Sequence, residues 1–269
     1  MSALPWTYPP LILVTALVQF DVVLSLKDRF AQVQDTLRKQ GFLGAEEFQQ
    51  QTWVQQVRPD GLHFGQQVQT FWSYSDREVR RVFTVNEQQL VYATSHYLNF
   101  ETFLEEYRQG LHAILTAIEG DVPIRQVGMR YTDWLEGTPE LPLEEQVDTR
   151  LLGFPLEGAQ GAETLNLAAE GRVGITFRAS RGSLATNALQ EFMGQKPRIA
   201  RLNNAAQALE SGYNHLVLDV QVNQANGLEE GPRTLLSETP TLLTEFHGRA
   251  SYTFQNALSS AGFKHYRGF

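Results

Sequence analysis

The chain has 269 residues, of which 42% are apolar and 19% charged, a composition typical of a globular protein with a full core. Its formal net charge of −8 argues against a global electrostatic attraction to nucleic acid or anionic lipid, although it leaves room for a local basic patch. The sequence contains no cysteine, which excludes disulfides, thiol nucleophiles and cysteine-ligated metal centres.

The first apolar run, Leu11–Val18, resembles neither a signal peptide nor a membrane span. A spanning helix needs roughly 20 apolar residues, and a signal peptide begins with a basic region. No Lys or Arg precedes the run, and the first basic residue is Lys27. We therefore expect a cytoplasmic protein that does not associate with membranes.

The N-terminal part of the chain predicts a strand followed by a helix. Pro9 and Pro10 favour extended backbone, and Leu11–Phe20 is apolar on both parities, as in a strand buried on both faces. Apolar residues at helical spacing follow Ser25, where a capping pair is expected. Gly41 is the predicted end of this helix.

The spacing of apolar residues then changes to every second position, which is typical of strands. The sequence predicts four antiparallel strands, at about 51–58, 62–74, 78–85 and 89–97. A long helix with a wide apolar face follows, capped by Asn99. The next segment, Pro123–Glu136, predicts a strand at the centre of the fold.

The C-terminal part repeats this order more loosely. A hairpin is predicted with Gly171 at its turn, and two short helices are permitted between residues 180 and 211. His215–Val222 predicts a strand. The final helix is predicted to have Thr239 as its N-cap and Pro240 as its first residue.

These elements predict an α+β protein of two packed halves, each a mostly antiparallel sheet covered by long amphipathic helices. The predicted N-terminal half covers residues 1–136 and the predicted C-terminal half covers residues 148–269. Between them, residues 137–147 contain prolines and acidic residues but no basic residue, which is typical of a linker.

Four landmarks, taken in order, carry a resemblance to a known family. They are Pro9-Pro10-Leu11 before the first strand, the Tyr97–Phe103 approach to the long helix, Gly128-Met129-Arg130-Tyr131, and Leu218-Asp219-Val220 before the terminal helix. With these landmarks the sequence resembles a sporadically distributed family of uncharacterised prokaryotic proteins of about this length. The resemblance covers nearly the whole chain.

The resemblance implies a function class without an activity. In that family an asparagine commonly follows the Arg-Tyr pair by one residue, whereas Thr132 and Asp133 follow it here. The family's scattered occurrence implies a mobile accessory gene, for example in defence or in a toxin–antitoxin pair. The resemblance therefore implies a binding or accessory protein of a prokaryotic multi-protein system.

Common catalytic and cofactor motifs are absent from the sequence. It has no G-x-x-x-x-G-K-[ST] phosphate loop, no G-x-G-x-x-G fingerprint and no G-x-S-x-G nucleophile elbow. No two of its six histidines are spaced to share a helix or strand face as metal ligands. We therefore expect no cofactor and no metal.

Four polar residues carry the alternative hypothesis, an enzyme of unrecognised type. On a strand, Arg130 shares a face with Thr132, whereas Tyr131 shares the other face with Asp133. Tyr131 with Asp133 would suit ligand orientation or proton transfer, and Asp219 would face Arg130 across a sheet. A buried structural ion pair with core aromatics is the more frequent explanation of such residues.

The strongest local candidate for binding is a basic segment in the C-terminal half. It has a net charge of +5 in a chain of −8, because six basic residues accompany the single acid Glu191. Such a segment would suit RNA or DNA phosphates or an acidic protein partner. Its basic residues are Arg172, Arg178, Arg181, Lys196, Arg198 and Arg201.

A row of aromatic residues on the predicted strands admits two interpretations. Sheet-based RNA binders stack bases on such residues, but a sheet also needs a core against its helices. We favour the core. The residues are Phe71, Trp72, Tyr74 and Tyr92.

Overall fold

The fold is known from a computed structural model, which describes residues 10–58, 61–148, 162–168, 173–181, 215–225 and 233–267. The predicted turn at Gly171 and the helices permitted between residues 182 and 211 lie outside these ranges.

The described strands form one antiparallel sheet, and helices pack on it. This mixed α and β content agrees with the predicted α+β class. Its nine strands run in the order β2-β3-β4-β5-β1-β6-β9-β8-β7. They are β1 (Leu11–Phe20), β2 (Gly44–Arg58), β3 (Gly61–Ser75), β4 (Arg81–Asn86), β5 (Gln89–Thr94), β6 (Ile124–Glu136), β7 (Ala162–Ala168), β8 (Val173–Arg181) and β9 (His215–Ala225).

The described helices fall between these strands and at the C-terminal end. Two of them, α2 and α4, are long and amphipathic, and two 3-10 helices, Leu24–Arg29 and Leu236–Glu238, precede α1 and α4. The α-helices are α1 (Phe30–Lys39), α2 (Phe100–Ile118), α3 (Leu143–Gln146), α4 (Thr239–Ala257) and α5 (Ser260–Arg267).

The centre of the sheet is the antiparallel pair β1 and β6, in which Thr15 lies opposite Arg130. Strands from the first part of the chain continue outward from β1, and strands from the second part continue outward from β6. The prediction that Pro123–Glu136 contains a central strand is therefore confirmed, with Ile124–Glu136 as its extent.

The sheet separates two chemically different faces. On the helix face, alternate residues of β1, β6 and β9 such as Val14, Met129 and Val220 join the core beneath the helices. We call the opposite side of the sheet the back face. It is formed by the residues that alternate with these along each strand, such as Thr15, Arg130 and Gln221. Strand alternation thus decides which residues meet the core and which can meet a ligand.

β1 was expected to be buried on both faces, and the structure confirms this for only part of the strand. Leu13 is buried on the back face in a small apolar cluster with Val82 and Val217. Further along β1, Thr15 and Leu17 are half-buried while their neighbours on the helix face are buried. The difference arises because a cavity borders this stretch of the back face.

The predicted helix boundaries hold to within a few residues, except that the first helix begins with the 3-10 helix Leu24–Arg29 and lacks the capping pair expected at Ser25. Asn99 caps α2 as predicted, because its side chain accepts a hydrogen bond of 2.8 Å from the backbone N–H of Thr102. Gly41 follows the first helix with a φ of +92°, a left-handed value that favours glycine. At α4, however, Thr239 is the first helical residue and Glu238 the N-cap.

Two predicted boundaries differ more clearly from the structure. β2 begins at Gly44, well before the predicted start near residue 51, because its polar first residues pair with the end of β3. Residues 137–147, interpreted as a linker, include α3 and the buried side chains of Leu143 and Gln146. The amide of Gln146 donates to two backbone carbonyls and accepts from the hydroxyl of Tyr266, which fixes this segment against the C-terminal helix.

Candidate functional site

The structure distributes the four residues of the enzyme hypothesis between the two faces of the sheet. Arg130 and Asp219 lie on the back face, where Asp219 is opposite Thr132 in the pairing of β6 with β9. Tyr131 and Asp133 project to the helix face and are buried. The strand parity predicted from the sequence is correct, and it separates the four residues rather than converging them.

Arg130 and Asp219 form an ion pair across neighbouring strands. The Nε of Arg130 donates to Oδ1 of Asp219 at 2.5 Å. Arg130 is half-buried, whereas Asp219 is only 7% exposed. A carboxylate this deep needs a cation, so the pair compensates charge within the wall of the back face.

On the helix face, Tyr131 belongs to a polar and aromatic cluster under α4. The hydroxyl of Tyr131 lies 2.7 Å from Nδ1 of His247, and the imidazole stacks on the ring of Phe100 at 4.2 Å. Burial lowers the pKa of His247, which favours the neutral imidazole, and the tautomer of that imidazole decides which partner donates in the bond between Tyr131 and Nδ1. Tyr97 meets the Tyr131 ring edge-on.

Asp133 lies beside this cluster and is only 4% exposed. Burial raises the pKa of Asp133 well above its usual range, and the negative charge of Asp219 acts in the same direction. A raised pKa is a property of many catalytic acids, but it also follows from burial alone. Burial above all, and also the charge of Asp133, raise the pKa of Tyr97, Tyr131 and Tyr266, so the surroundings of Asp133 are aromatic and mostly buried, which favours a structural role.

The back face contains a cavity of about 310 Å³ between the curved strands β2, β3, β4, β5, β1, β6 and β9. Arg130 stands in its wall, so the ion pair with Asp219 borders the space. The wall is rich in primary amides. These are Gln19, Gln50, Gln89, Gln126, Gln221 and Asn223.

Some of the amides bond to each other. Gln19 donates to Gln89 at 3.5 Å, and Gln221 donates to Asn223 at 3.3 Å. A primary amide has two N–H donors and a carbonyl with two lone pairs, so each bond uses only part of that capacity. The amides therefore supply hydrogen-bond donors and acceptors to the wall without adding charge to that of Arg130.

One polar atom in the cavity wall is incompletely satisfied. The hydroxyl oxygen of Thr15 is buried and has no hydrogen-bond partner among the residues that the structure describes. Leaving such a group unpaired costs about 1–3 kcal/mol. Buried polar groups of this kind occur where a ligand or water completes the bonding.

Gly128 allows the Asn223 side chain to reach the cavity. The two residues are directly opposite each other in β6 and β9, and a Cβ at position 128 would collide with Oδ1 of Asn223. On the other side of Asn223, Gly174 of β8 occupies the matching register, and a Cβ there would meet nothing within 4 Å. The observed position of the Asn223 side chain therefore needs a glycine at position 128, whereas it does not need one at position 174.

Most of the predicted basic binding segment lies outside the described residues, including Arg172, Lys196, Arg198 and Arg201. The remaining two, Arg178 and Arg181, belong to β8. The backbone of Arg178 pairs with that of Asp219. The described part of the basic segment therefore lies in β8, which pairs with β9, the strand that carries two of the cavity amides.

The predicted aromatic row divides between the two faces. Tyr74 and Tyr92 are buried in the main core, and Trp72 packs against it, which confirms the core interpretation for these three. Phe71 is also buried, at 4% exposed, but on the back face, where it borders the cavity and stacks on Phe48 with centroids 5.5 Å apart and planes 14° apart. Alternation along β3 produces this split.

Sequence reasoning missed the amides and the cavity. A usable signal was present, since polar Thr15 and Gln19 alternate with apolar residues on β1, and Gln221 and Asn223 do so on β9. That alternation predicts a polar back face. It does not predict the curvature that joins distant strands around one space.

Two further observations concern metals and membranes. Within residues 10–148 and the later described stretches, no three His, Cys, Asp or Glu residues are grouped as ligands for a metal ion. None of the described helices combines the length and hydrophobicity needed to cross a membrane.

Comparison with protein-family models, with curated proteins and with solved structures finds no match to this chain.

Proposed function

We propose that the protein is a non-catalytic binding protein and an accessory component of a prokaryotic multi-protein system, for example in defence or a toxin–antitoxin pair. The observation that supports binding best is the amide-lined cavity on the back face, next to the Arg130–Asp219 pair. A concave site with polar groups on an apolar base is the usual form of a recognition site.

The placement of the candidate catalytic residues favours binding over the enzyme alternative. Acid–base catalysis requires its groups to reach one substrate within hydrogen-bond distance. Tyr131 and Asp133 lie beneath the helices, on the face opposite Arg130 and Asp219. The guanidinium of Arg130 is engaged by Asp219, so its charge already has a partner before any substrate arrives.

The partner is a protein or a nucleic acid that contacts the back face. The cavity wall contains a single charged side chain, Arg130, among residues of the described part of the chain. Phosphate contacts would therefore come from the basic segment, residues 172–201, whose described part is β8, and binding would weaken steeply with salt. With a nucleic-acid partner, Lys196→Glu together with Arg198→Glu should abolish binding, whereas a protein partner that contacts the cavity and not the basic segment should tolerate the change.

Gentle purification of the tagged protein from its host, with neighbouring genes intact, followed by native mass spectrometry tests this proposal. We expect a stoichiometric companion protein or a bound nucleic acid. A bare monomer or dimer at physiological salt would contradict an accessory role, and it would move attention to enzyme assays on Arg130 and Asp219 variants.

We also propose that the single sheet consists of two related halves joined at β1 and β6. The support is topological, because each of these strands is followed by helical structure, then by a meander, then by a long helix. In both cases the last meander strand, β5 or β9, pairs with the first strand of its own half. Expression of residues 1–122 alone, which contain β1 to α2 and stop before β6, tests this, since an independent half should unfold cooperatively.

A further inference from the structure

We propose that the back-face cavity binds one nucleobase, presented either by a free nucleoside or by an unpaired position of a single strand. The inference rests on the proposed binding function and names the chemistry of the ligand for that site. Four properties of the cavity lead to it: its size, its amides, its charge and its aromatic wall.

The size restricts the ligand to a small molecule or to one residue of a larger one. The cavity measures about 310 Å³. Ligand pockets in proteins range over about 300–1,000 Å³, so this one is at the lower limit. It suits a single heterocycle, with or without its sugar, and excludes a helix or a duplex.

The amides suit the edge of a base better than they suit an ion. A base presents adjacent donors and acceptors along its edge, and the carboxamides of Asn and Gln match such an edge with two parallel hydrogen bonds. Gln221 and Asn223 lie on the same strand face, and Gln126 lies on the neighbouring strand. A base within reach of these side chains would meet several amides at once.

The hydroxyl of Thr15 is a further observation that supports a ligand in the cavity. It is buried in the cavity wall and has no partner among the described residues. Thr15 lies opposite Arg130 in the central strand pair, so its hydroxyl is part of the same wall as the amides. This oxygen has no exposed surface in the structure, so a ligand reaches it only when the Thr15 side chain rotates toward the cavity, and the contact would then remove the cost of its burial.

The charge of the cavity favours an uncharged ligand group. Arg130 is its one charged lining residue within the described chain, and Asp219 holds the Nε at 2.5 Å. A phosphate inside the cavity would have to compete with that carboxylate for the guanidinium. The phosphate of a nucleotide is therefore expected outside the cavity.

The aromatic wall provides the surface on which a planar ring can lie. Phe71 is buried and stacked against the half-buried Phe48, so the exposed part of the Phe48 ring and the apolar side chains of Leu17 and Val91 form this wall. Stacking of a base on an aromatic ring contributes about 1–3 kcal/mol in single-strand binders. Apolar walls with amides around them provide shape and hydrogen-bond selectivity together.

The test is a set of titrations of the purified full-length chain, monitored by calorimetry and by protein NMR. The ligands are the common nucleosides, their monophosphates, and short homopolymers of RNA and DNA. We expect at least one nucleoside to bind, and its monophosphate to bind no more tightly. A homopolymer that binds more tightly than its nucleoside identifies the strand as the source of the base, and equal affinity identifies the free nucleoside.

Two glycine variants provide a matched pair. Gly128→Ala displaces the Asn223 side chain, whereas Gly174→Ala flanks the same residue and meets open space. We expect the first change to weaken nucleoside binding about tenfold or more, which corresponds to loss of about one good hydrogen bond. The second should leave affinity unchanged.

A third variant keeps the test decisive if Gly128→Ala fails to fold. Thr15→Val keeps the shape of the side chain and removes an unpaired hydroxyl, so the fold should be retained while nucleoside affinity falls. The inference is overturned if no nucleoside or homopolymer binds at millimolar concentration, or if Gly128→Ala and Thr15→Val both bind as the parent does. If that happens while a companion still co-purifies from the host, only the ligand class is wrong and the binding function stands.

Discussion

Two polar clusters of this protein differ in how completely their hydrogen bonds are made. On the helix face, Arg81 bonds to Asp76 at 3.0 Å and to Glu106 at 2.9 Å, and Tyr92 donates to the second oxygen of Glu106 at 2.5 Å. On the back face, the cavity has long amide contacts and the unpaired hydroxyl of Thr15.

The difference separates a structural network from a candidate binding site. A closed network with every member bonded stabilises one arrangement of β4, β5 and α2, and it has little capacity left for a ligand. An incompletely bonded wall leaves that capacity in place. Substitutions in the first cluster should therefore affect stability, and substitutions in the second should affect binding.

The largest expected effect is on the Arg81 network. Arg81→Met leaves Asp76 and Glu106 without their shared donor and also removes the cation over the Phe42 ring. We expect the free energy of unfolding to fall by about 2–3 kcal/mol, as for lost hydrogen bonds to charged groups. Urea denaturation measures this.

The control for that change is Arg108→Met on α2. Arg108 is half exposed and pairs with Glu105 at 3.5 Å on the helix surface. Exposed pairs contribute about 0–1 kcal/mol, so this variant should unfold almost as the parent does. Equal losses in the two variants would contradict the special role of the Arg81 network.

The second effect depends on pH and concerns Asp133. Its pKa in the folded protein is raised well above the usual 3.8 by burial and by the charge of Asp219. Below about pH 4 the carboxyl is protonated in both states, and as pH rises from there only the unfolded state ionises readily. Stability is therefore lost as pH rises from about 4 through the raised pKa.

Asp133→Asn should remove this pH dependence. The variant should be more stable than the parent at neutral pH, and the difference should shrink toward pH 4, as measured by thermal unfolding across the range. Asp35→Asn, at an exposed residue of α1, controls for the loss of one acidic side chain. A parent protein that gains stability relative to Asp133→Asn on going from pH 4 to 8 would show the opposite sign and refute this account.

A smaller effect is expected at Tyr131. Tyr131→Phe keeps the ring and removes the hydroxyl that bonds to His247 at 2.7 Å. One neutral hydrogen bond contributes about 1 kcal/mol, so stability should fall by that amount while back-face binding persists. Tyr252→Phe, at an exposed tyrosine of α4, is the control. Loss of binding by Tyr131→Phe alone would return this cluster to the functional candidates.

The smallest effect compares two threonines of opposite status. The hydroxyl of Thr239 lies 2.8 Å from that of Tyr107 and donates to the carbonyl of Leu236 at 2.8 Å, whereas the hydroxyl of Thr15 is unpaired. Thr239→Val should lower stability by about 1 kcal/mol, and Thr15→Val should leave it unchanged or raise it. Thermal unfolding of both variants measures this, and equal destabilisation would show that Thr15 is bonded in solution.

Local sequence patterns predicted much of the fold, because local physics determines much of it. The cap at Asn99, the stop at Gly41 and the strand parity of Arg130 and Tyr131 each depend on a few neighbouring residues. Strand order, in contrast, does not depend on neighbouring residues alone. Nothing local to β1 indicates that it pairs with β5 and with β6, so the single sheet follows from long-range packing.

The candidate site was predictable only in part for the same reason. The composition of their strands predicted that Arg130 and Asp219 face each other, and in the structure Nε of Arg130 lies 2.5 Å from Oδ1 of Asp219. The cavity joins residues such as Phe48, Gln89 and Asn223, which come from three separate parts of the sequence. Their convergence depends on sheet curvature, which no single segment encodes.

The most direct test of the account is to compare one back-face variant with one helix-face variant in native mass spectrometry from the host. We predict that Gly128→Ala loses the companion or bound nucleic acid that the parent retains, and that Tyr131→Phe, although less stable, keeps it. Retention by Gly128→Ala together with loss by Tyr131→Phe would contradict the central claim that recognition takes place on the back face.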